Sequence, residues 1–153
     1  MTLPNIFTQE ASDEMIVRIN KLSPETPRLW GKMDVGQMLA HLCVSYEMIY
    51  EPEKHKRPNF FMGLVLKTFV KKMVTNETAY GKNKPTAPAF RMTTEKDFAA
   101  EKNRLIDYIQ RTQQLGEDEF DGKESMSFGV MDKTGWNNML YKHLDHHLRQ
   151  FGV

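Results

Sequence analysis

The stretch Tyr141-Lys142-His143-Leu144-Asp145-His146-His147-Leu148-Arg149-Gln150-Phe151 carries the reading of the fold. Leu144, Leu148 and Phe151 recur at i, i+4 and i+7, the spacing of one helical face, and nothing in the stretch alternates as a strand would. Three of the chain's five histidines fall inside the same segment. His143 and His147 are i, i+4 neighbours, so their imidazoles share one side of the helix about one turn apart. That is metal-ligand spacing on an element whose other residues specify an all-α protein.

At about 100° per residue, with His143 at zero, Trp136, His147 and Leu140 fall at roughly 20°, 40° and 60°, and the apolar arc continues to roughly 140° at Leu148. His143 and His147 therefore lie on the margin of the buried face. His146 falls near roughly −60° and reads as solvent-facing or as a support to a ligand. A second helix, capped by Asp34 and stopped before Pro52, carries Met38, Leu42 and Ile49 inward and His41 at the edge of that arc, beside Ser45 and Met48. The metal ligands expected are His41, His143 and His147. Met38 and Met48 are expected to line an apolar substrate pocket, and Ser45, one turn beyond His41, to hydrogen-bond a ligand. Three neutral imidazoles suit a divalent transition metal such as zinc, nickel or iron and leave positions for water or substrate. Such an ion lowers the pKa of a bound water. With ordinary imidazole pKa values of about 6.5, protons should displace it between roughly pH 6 and 4. No general acid or base is assignable.

Outward from these two segments, periodicity predicts helices over residues 12–22, 59–74 and 94–115, the last capped by Thr94 with Asp97 at its third position, and a final helix over 133–151 capped by Asp132. Residues 76–93 read as a surface loop and 117–130 as an acidic connection. This gives a bundle with four main helices and an additional short one, in a single domain over residues 1–153. Lys and Arg number 21 against 20 Asp and Glu, spread along the chain, which argues against nucleic acid and membrane partners. The lone Cys43 excludes an internal disulfide, fits a cytoplasmic location and points away from His41 as an inert thiol. The apolar run over 60–66 is far short of the roughly 20 residues of a spanning helix. The segment over 60–72 reads first as a helix packed on the bundle and next as a homodimer surface, ahead of a lid or a peripheral membrane contact. His55, among Lys54, Lys56 and Arg57, reads as a solvated loop residue.

Trp30-Gly31-Lys32-Met33-Asp34, Gln37-Met38-Leu39-Ala40-His41-Leu42 and the closing segment through Gly152 resemble an uncharacterised branch of the DinB-like superfamily, over most of the chain from Trp30 onward. The resemblance implies an up-down-down-up four-helix bundle with a divalent metal held by three histidines in a cleft, the first falling on His41 and the final-helix pair on His143 and His147. It implies a metal-dependent hydrolase, or a transferase using a low-molecular-weight thiol, acting on a small molecule. The alternative is a non-catalytic dimeric binding or stress-response module. The branch carries His-Pro-x-Phe-Gly ahead of its last helix, whereas this chain reads Ser125-Met126-Ser127-Phe128-Gly129, so that loop histidine is missing.

Overall fold

A computed structural model describes residues 2–153 and is predominantly helical. In chain order it contains α1 (Gln9–Asn20), α2 (Val35–Tyr50), α3 (Phe60–Val65), a π-turn (Leu66–Val70), α4 (Lys71–Thr75), α5 (Phe98–Leu115), α6 (Glu117–Phe120), a two-stranded antiparallel hairpin of β1 (Glu124–Ser125) and β2 (Gly129–Val130), and α7 (Lys133–Gln150). Short 3-10 turns stand at Pro52–Lys54 and Pro88–Phe90. Among the described residues no helix is long and apolar enough to cross a membrane.

Side-chain caps start the four long helices, each taking up a backbone N–H that has no partner inside the helix. Thr8 accepts from Ala11 N on α1, and Asp34 and Gln37 form a reciprocal capping box on α2. Asp132 accepts from Gly135 N on α7 at 2.7 Å. Helix α5 departs from expectation. Its cap is Asp97, which accepts from Ala100 N at 2.7 Å, while the Thr94 carbonyl accepts instead from Gln37 Nε2 at 3.2 Å. The first helix likewise begins three residues earlier than its apolar stripe predicts, because Thr8 caps it.

α2 packs along α5 and α7, and α1 packs along the same two helices. Cys43 lies against the Glu101 carbonyl and the Tyr50 hydroxyl bonds Thr112 Oγ1 at 2.7 Å, so α2 and α5 run in the same direction. Ile6 N bonds Asn137 Oδ1 at 2.7 Å and Arg18 pairs with Asp145 at 2.9 Å, so α1 and α7 also run together. His41 faces His147, and Ser45 reaches His143, so α2 and α7 are opposed. The core between them is apolar: Met15, Ile19, Leu39, Leu42, Leu105, Ile109 and Leu144 are all buried.

Three local expectations change. Phe120, at the end of the acidic run, is fully buried against Phe7 and Trp136, with ring centroids 4.8 and 5.6 Å away. His55 is not a freely solvated residue, because its Nε2 lies 2.8 Å from Glu47 Oε2. Glu47 is itself buried and paired with Arg104, and a buried carboxylate keeps its charge only with such partners. Lys142, which at about 100° per residue projects outside the apolar arc of α7, is buried: its ammonium donates to the Met73 carbonyl, Asn76 Oδ1 and the Thr78 carbonyl at 2.8, 2.9 and 3.0 Å. Burial pushes its pKa down to about 8. Those three bonds anchor the start of the 76–93 connection on α7 and so direct it across the histidine-bearing part of the fold.

Candidate metal centre

His41 comes from the second turn of α2, and His143 and His147 from the last two turns of α7. Because α2 and α7 are opposed and in contact, the three helix margins meet. The ring centroids are 4.5 Å apart for His41 and His147, 4.9 Å for His41 and His143, and 5.0 Å for His143 and His147. One ring nitrogen from each lies within 4.8 Å of the others, a set able to hold a metal ion. His41 and His147 are buried and His143 is half-buried.

The outer nitrogen of each imidazole is occupied, which fixes what the inner one offers. His41 Nδ1 donates to the Phe90 carbonyl at 2.8 Å, since a carbonyl only accepts, and this leaves the His41 Nε2 lone pair facing inward. Gln150 Nε2 donates to the Trp30 carbonyl at 2.7 Å, so its Oε1 is the acceptor for His147 Nδ1–H at 2.8 Å, and His147 Nε2 is unprotonated. His143 is different. Its Nε2 lies 2.9 Å from His41 Nε2, an acceptor, so His143 carries its proton there and accepts at Nδ1 from the Ser45 hydroxyl at 2.9 Å. A hydroxyl can donate or accept. Ser45 therefore allows the His143 proton to move to Nδ1, which turns the third Nε2 lone pair toward the other two. The donor set fits a borderline divalent cation once that shift occurs.

Electrostatics point the same way. Burial lowers the pKa of all three imidazoles, opposed at His41 by the Phe90 carbonyl. His143 is driven well below the ordinary histidine range by burial and then by its histidine neighbours, and His147 is pushed down to about 3. All three are neutral at pH 7, the form that ligates metal. No carboxylate belongs to the cluster.

His146 does not join the set. It is half-buried beside the rings of Trp30 and Tyr80, at 5.9 and 5.7 Å, with Lys82 Nζ 4.3 Å from the Trp30 ring centre. Of the expected substrate-lining residues, Ser45 bonds a cluster histidine, Met38 is fully buried in the core and Met48 is half-buried on α2. Cys43 is buried with its thiol pushed up to about 12 by burial, in keeping with an inert role. The segment Ser125–Gly129 forms the hairpin against α3, where it lines a groove of about 230 Å³ with Phe60 and Leu64, and it holds no residue of the three-histidine set.

Sequence reasoning passed over Gln150, Phe90 and Tyr80. Gln150 had a readable signal, an amide three residues after His147 on the same face. Phe90 had none, because it acts through its backbone carbonyl. Gly31 belongs to this support as well: its φ is +82°, and a Cβ there would run into Gln150 Nε2. Replacing the supports while keeping the ligands should be measurable. Ser45→Ala and Gln150→Leu should each weaken zinc binding by about 10–100-fold in a competition titration, with helical circular dichroism unchanged. Unaltered affinity in both would mean that the outer hydrogen bonds do not orient the rings.

No curated protein and no solved structure matches the chain. Over residues 2–152 the sequence matches the family described as "Protein of unknown function (DUF1569)", and the chain belongs to that family.

Proposed function

We propose that this protein is a divalent-metal-binding enzyme of the DinB-like type, one domain built as an up-down-down-up four-helix bundle, that acts on a small organic molecule at an open three-histidine site. The directions of the long helices support the topology: α1 and α7 run together, α2 and α5 run together, and α2 opposes α7. The observation that carries the function is the convergence of three neutral imidazoles whose outer nitrogens are already satisfied. Three ligands without a fourth resemble an open centre rather than a closed structural one.

A divalent ion supplies Lewis-acid chemistry, polarising a carbonyl or activating water. The chain's own contribution is to hold the three rings, to keep them unprotonated by burial, and to frame the approach with Trp30, Tyr80 and His146. Hydrolysis is the reaction proposed first, because it needs no second organic reactant. A thiol-dependent transfer needs a low-molecular-weight thiol from outside, because the only cysteine is buried and its pKa is pushed up to about 12. Ser45 and Met48, both half-buried on α2, are proposed to border the substrate on that side, with Met38 packed in the core behind them.

Metal analysis of protein purified without a histidine tag tests the first step, and about one equivalent of zinc, nickel or iron should be present or rebind. Below about a tenth of an equivalent, with no uptake of added metal, the proposal fails. Turnover of generic esters and amides, against thiol conjugates with added thiol, then separates hydrolysis from transfer.

A further inference from the structure

The helix over residues 60–75 leaves its apolar side uncovered. Phe60, Phe61 and Phe69 are 88%, 77% and 75% exposed. At 150–250 Å² per phenylalanine these three alone present on the order of 400 Å² of apolar surface, the size of the largest patch on an ordinary monomer. The expectation of a helix buried on the bundle holds only for its inner side, where Leu66, Val70 and Val74 are half-buried.

The π-turn shapes this surface. Phe61, Val65, Phe69 and Met73 recur every fourth residue and are all exposed. In an uninterrupted α-helix that spacing drifts about 40° per turn and would wind the stripe around the axis. The wider i→i+5 turn at Leu66–Val70 advances each residue less and offsets part of that drift, so the four side chains stay on one outward face beside the half-buried Leu66, Val70 and Val74.

The charge within the segment is one-sided, between Glu53 and Glu77 at its ends. Residues 54–76 contain six Lys and Arg and no Asp or Glu, in a chain whose net charge is only +1. The even global balance hides this segregation. Lys56, Arg57, Lys67 and Lys72 are exposed. Lys71 is bonded to the Val130 carbonyl at 2.7 Å, Lys54 pairs with Glu51, and Arg57 and Lys67 border the groove under α3 together with the exposed Glu124.

We infer that the outer row Phe61-Val65-Phe69-Met73 with its basic flank is a docking surface for an anionic phospholipid bilayer, on which this helix lies in the plane of the interface. Large apolar side chains enter the headgroup boundary, and lysine and arginine meet the anionic lipids around them. A second copy of the chain is disfavoured as occupant, because a two-fold interface would bring the exposed Lys56, Arg57, Lys67 and Lys72 toward the same four cations of the copy. A nucleic acid would use the cations but not the phenylalanines. This inference is independent of the metal site.

Co-sedimentation of the full chain with phosphatidylcholine vesicles containing phosphatidylglycerol, against pure phosphatidylcholine vesicles, tests it. Binding should require the anionic lipid, fall as salt is raised, and drop by at least about tenfold in Phe61→Ser/Phe69→Ser, whose changes lie on the exposed face and should leave the melting curve intact. Lys56→Glu/Arg57→Glu should weaken it in the same direction. Absence of binding at low salt, or equal binding by the serine variant, overturns the inference. Concentration-dependent dimerisation by light scattering that the serine substitutions abolish would also overturn it and assign the row to a second copy.

Discussion

His143→Ala and His147→Ala should each lower transition-metal affinity by at least about tenfold and erase most of the thermal stabilisation that metal confers, whereas His146→Ala should do neither. The first two rings belong to the convergent set, with ligand nitrogens within 4.8 Å of one another and of His41. The His146 ring touches that of His147, with centroids 5.0 Å apart, but it is no member of the convergent set and its other neighbours are Trp30 and Tyr80. A ligand that binds only the folded state at about a thousand times its Kd adds about 4 kcal/mol, which for a chain of this size is roughly 8–16 °C in Tm. Wild-type protein saturated with zinc should therefore melt well above the apo protein at pH 7.5, and the gap should collapse in the two α7 variants. Calorimetry on the apo and zinc-loaded forms of all four proteins reads this directly. Coincident apo and zinc curves for the wild type would remove the physical basis of the three-histidine centre, and equal losses in all three variants would show that His146 shares in ligation.

What could be read from the sequence was whatever a single helix encodes about itself. The i, i+4 pair on α7 and the edge position of His41 follow from spacing, and the Asp34 and Asp132 caps follow from side chains that act within a few residues. The misreadings arise where another element decides. Thr94 and Asp97 both have the chemistry of a cap, and packing chose between them, since Gln37 of α2 takes the Thr94 carbonyl. Lys142 projects away from the apolar arc of α7, but a helical projection contains no information about the 73–78 segment that covers that side and accepts its three hydrogen bonds. Phe120 was masked by its acidic neighbours, yet one aromatic ring between Phe7 and Trp136 is enough to bury the end of α6. The segment over 60–72 departs in the opposite sense only in part, since its end packs on α7 while its phenylalanines stay exposed. Apolar content reads as burial, and here Phe61, Val65, Phe69 and Met73 face outward while Leu66, Val70 and Val74 are half-buried on the side that meets the protein.

Acid should destabilise the metal-free protein below about pH 6.5, the ordinary histidine pKa, and should do so before it strips metal from the folded protein. Burial pushes His147 down to about 3, and His41 and His143 are lowered as well. For a group whose folded pKa is depressed, the unfolded chain takes up the proton first. The stability contributed is full above the unfolded pKa and is lost as pH falls toward the folded one. The loss is about 1.4 kcal/mol per pH unit for each such group, so His147 alone should cost about 2 kcal/mol at pH 5, roughly 4–8 °C in Tm. The same shift moves the point at which protons compete with metal. Ordinary imidazoles would release it between roughly pH 6 and 4; rings held neutral by burial should retain it at pH 5, with release nearer the folded value. Melting curves of apo wild type and His147→Ala at pH 7.5 and 5 isolate the linkage, because the variant should show a smaller drop between the two pH values whatever its absolute Tm. Equilibrium dialysis of the zinc form at pH 5 tests retention. An equal drop in both proteins would show that His147 is not the titrating group, and loss of zinc by pH 6 would show that the folded imidazoles keep their ordinary basicity.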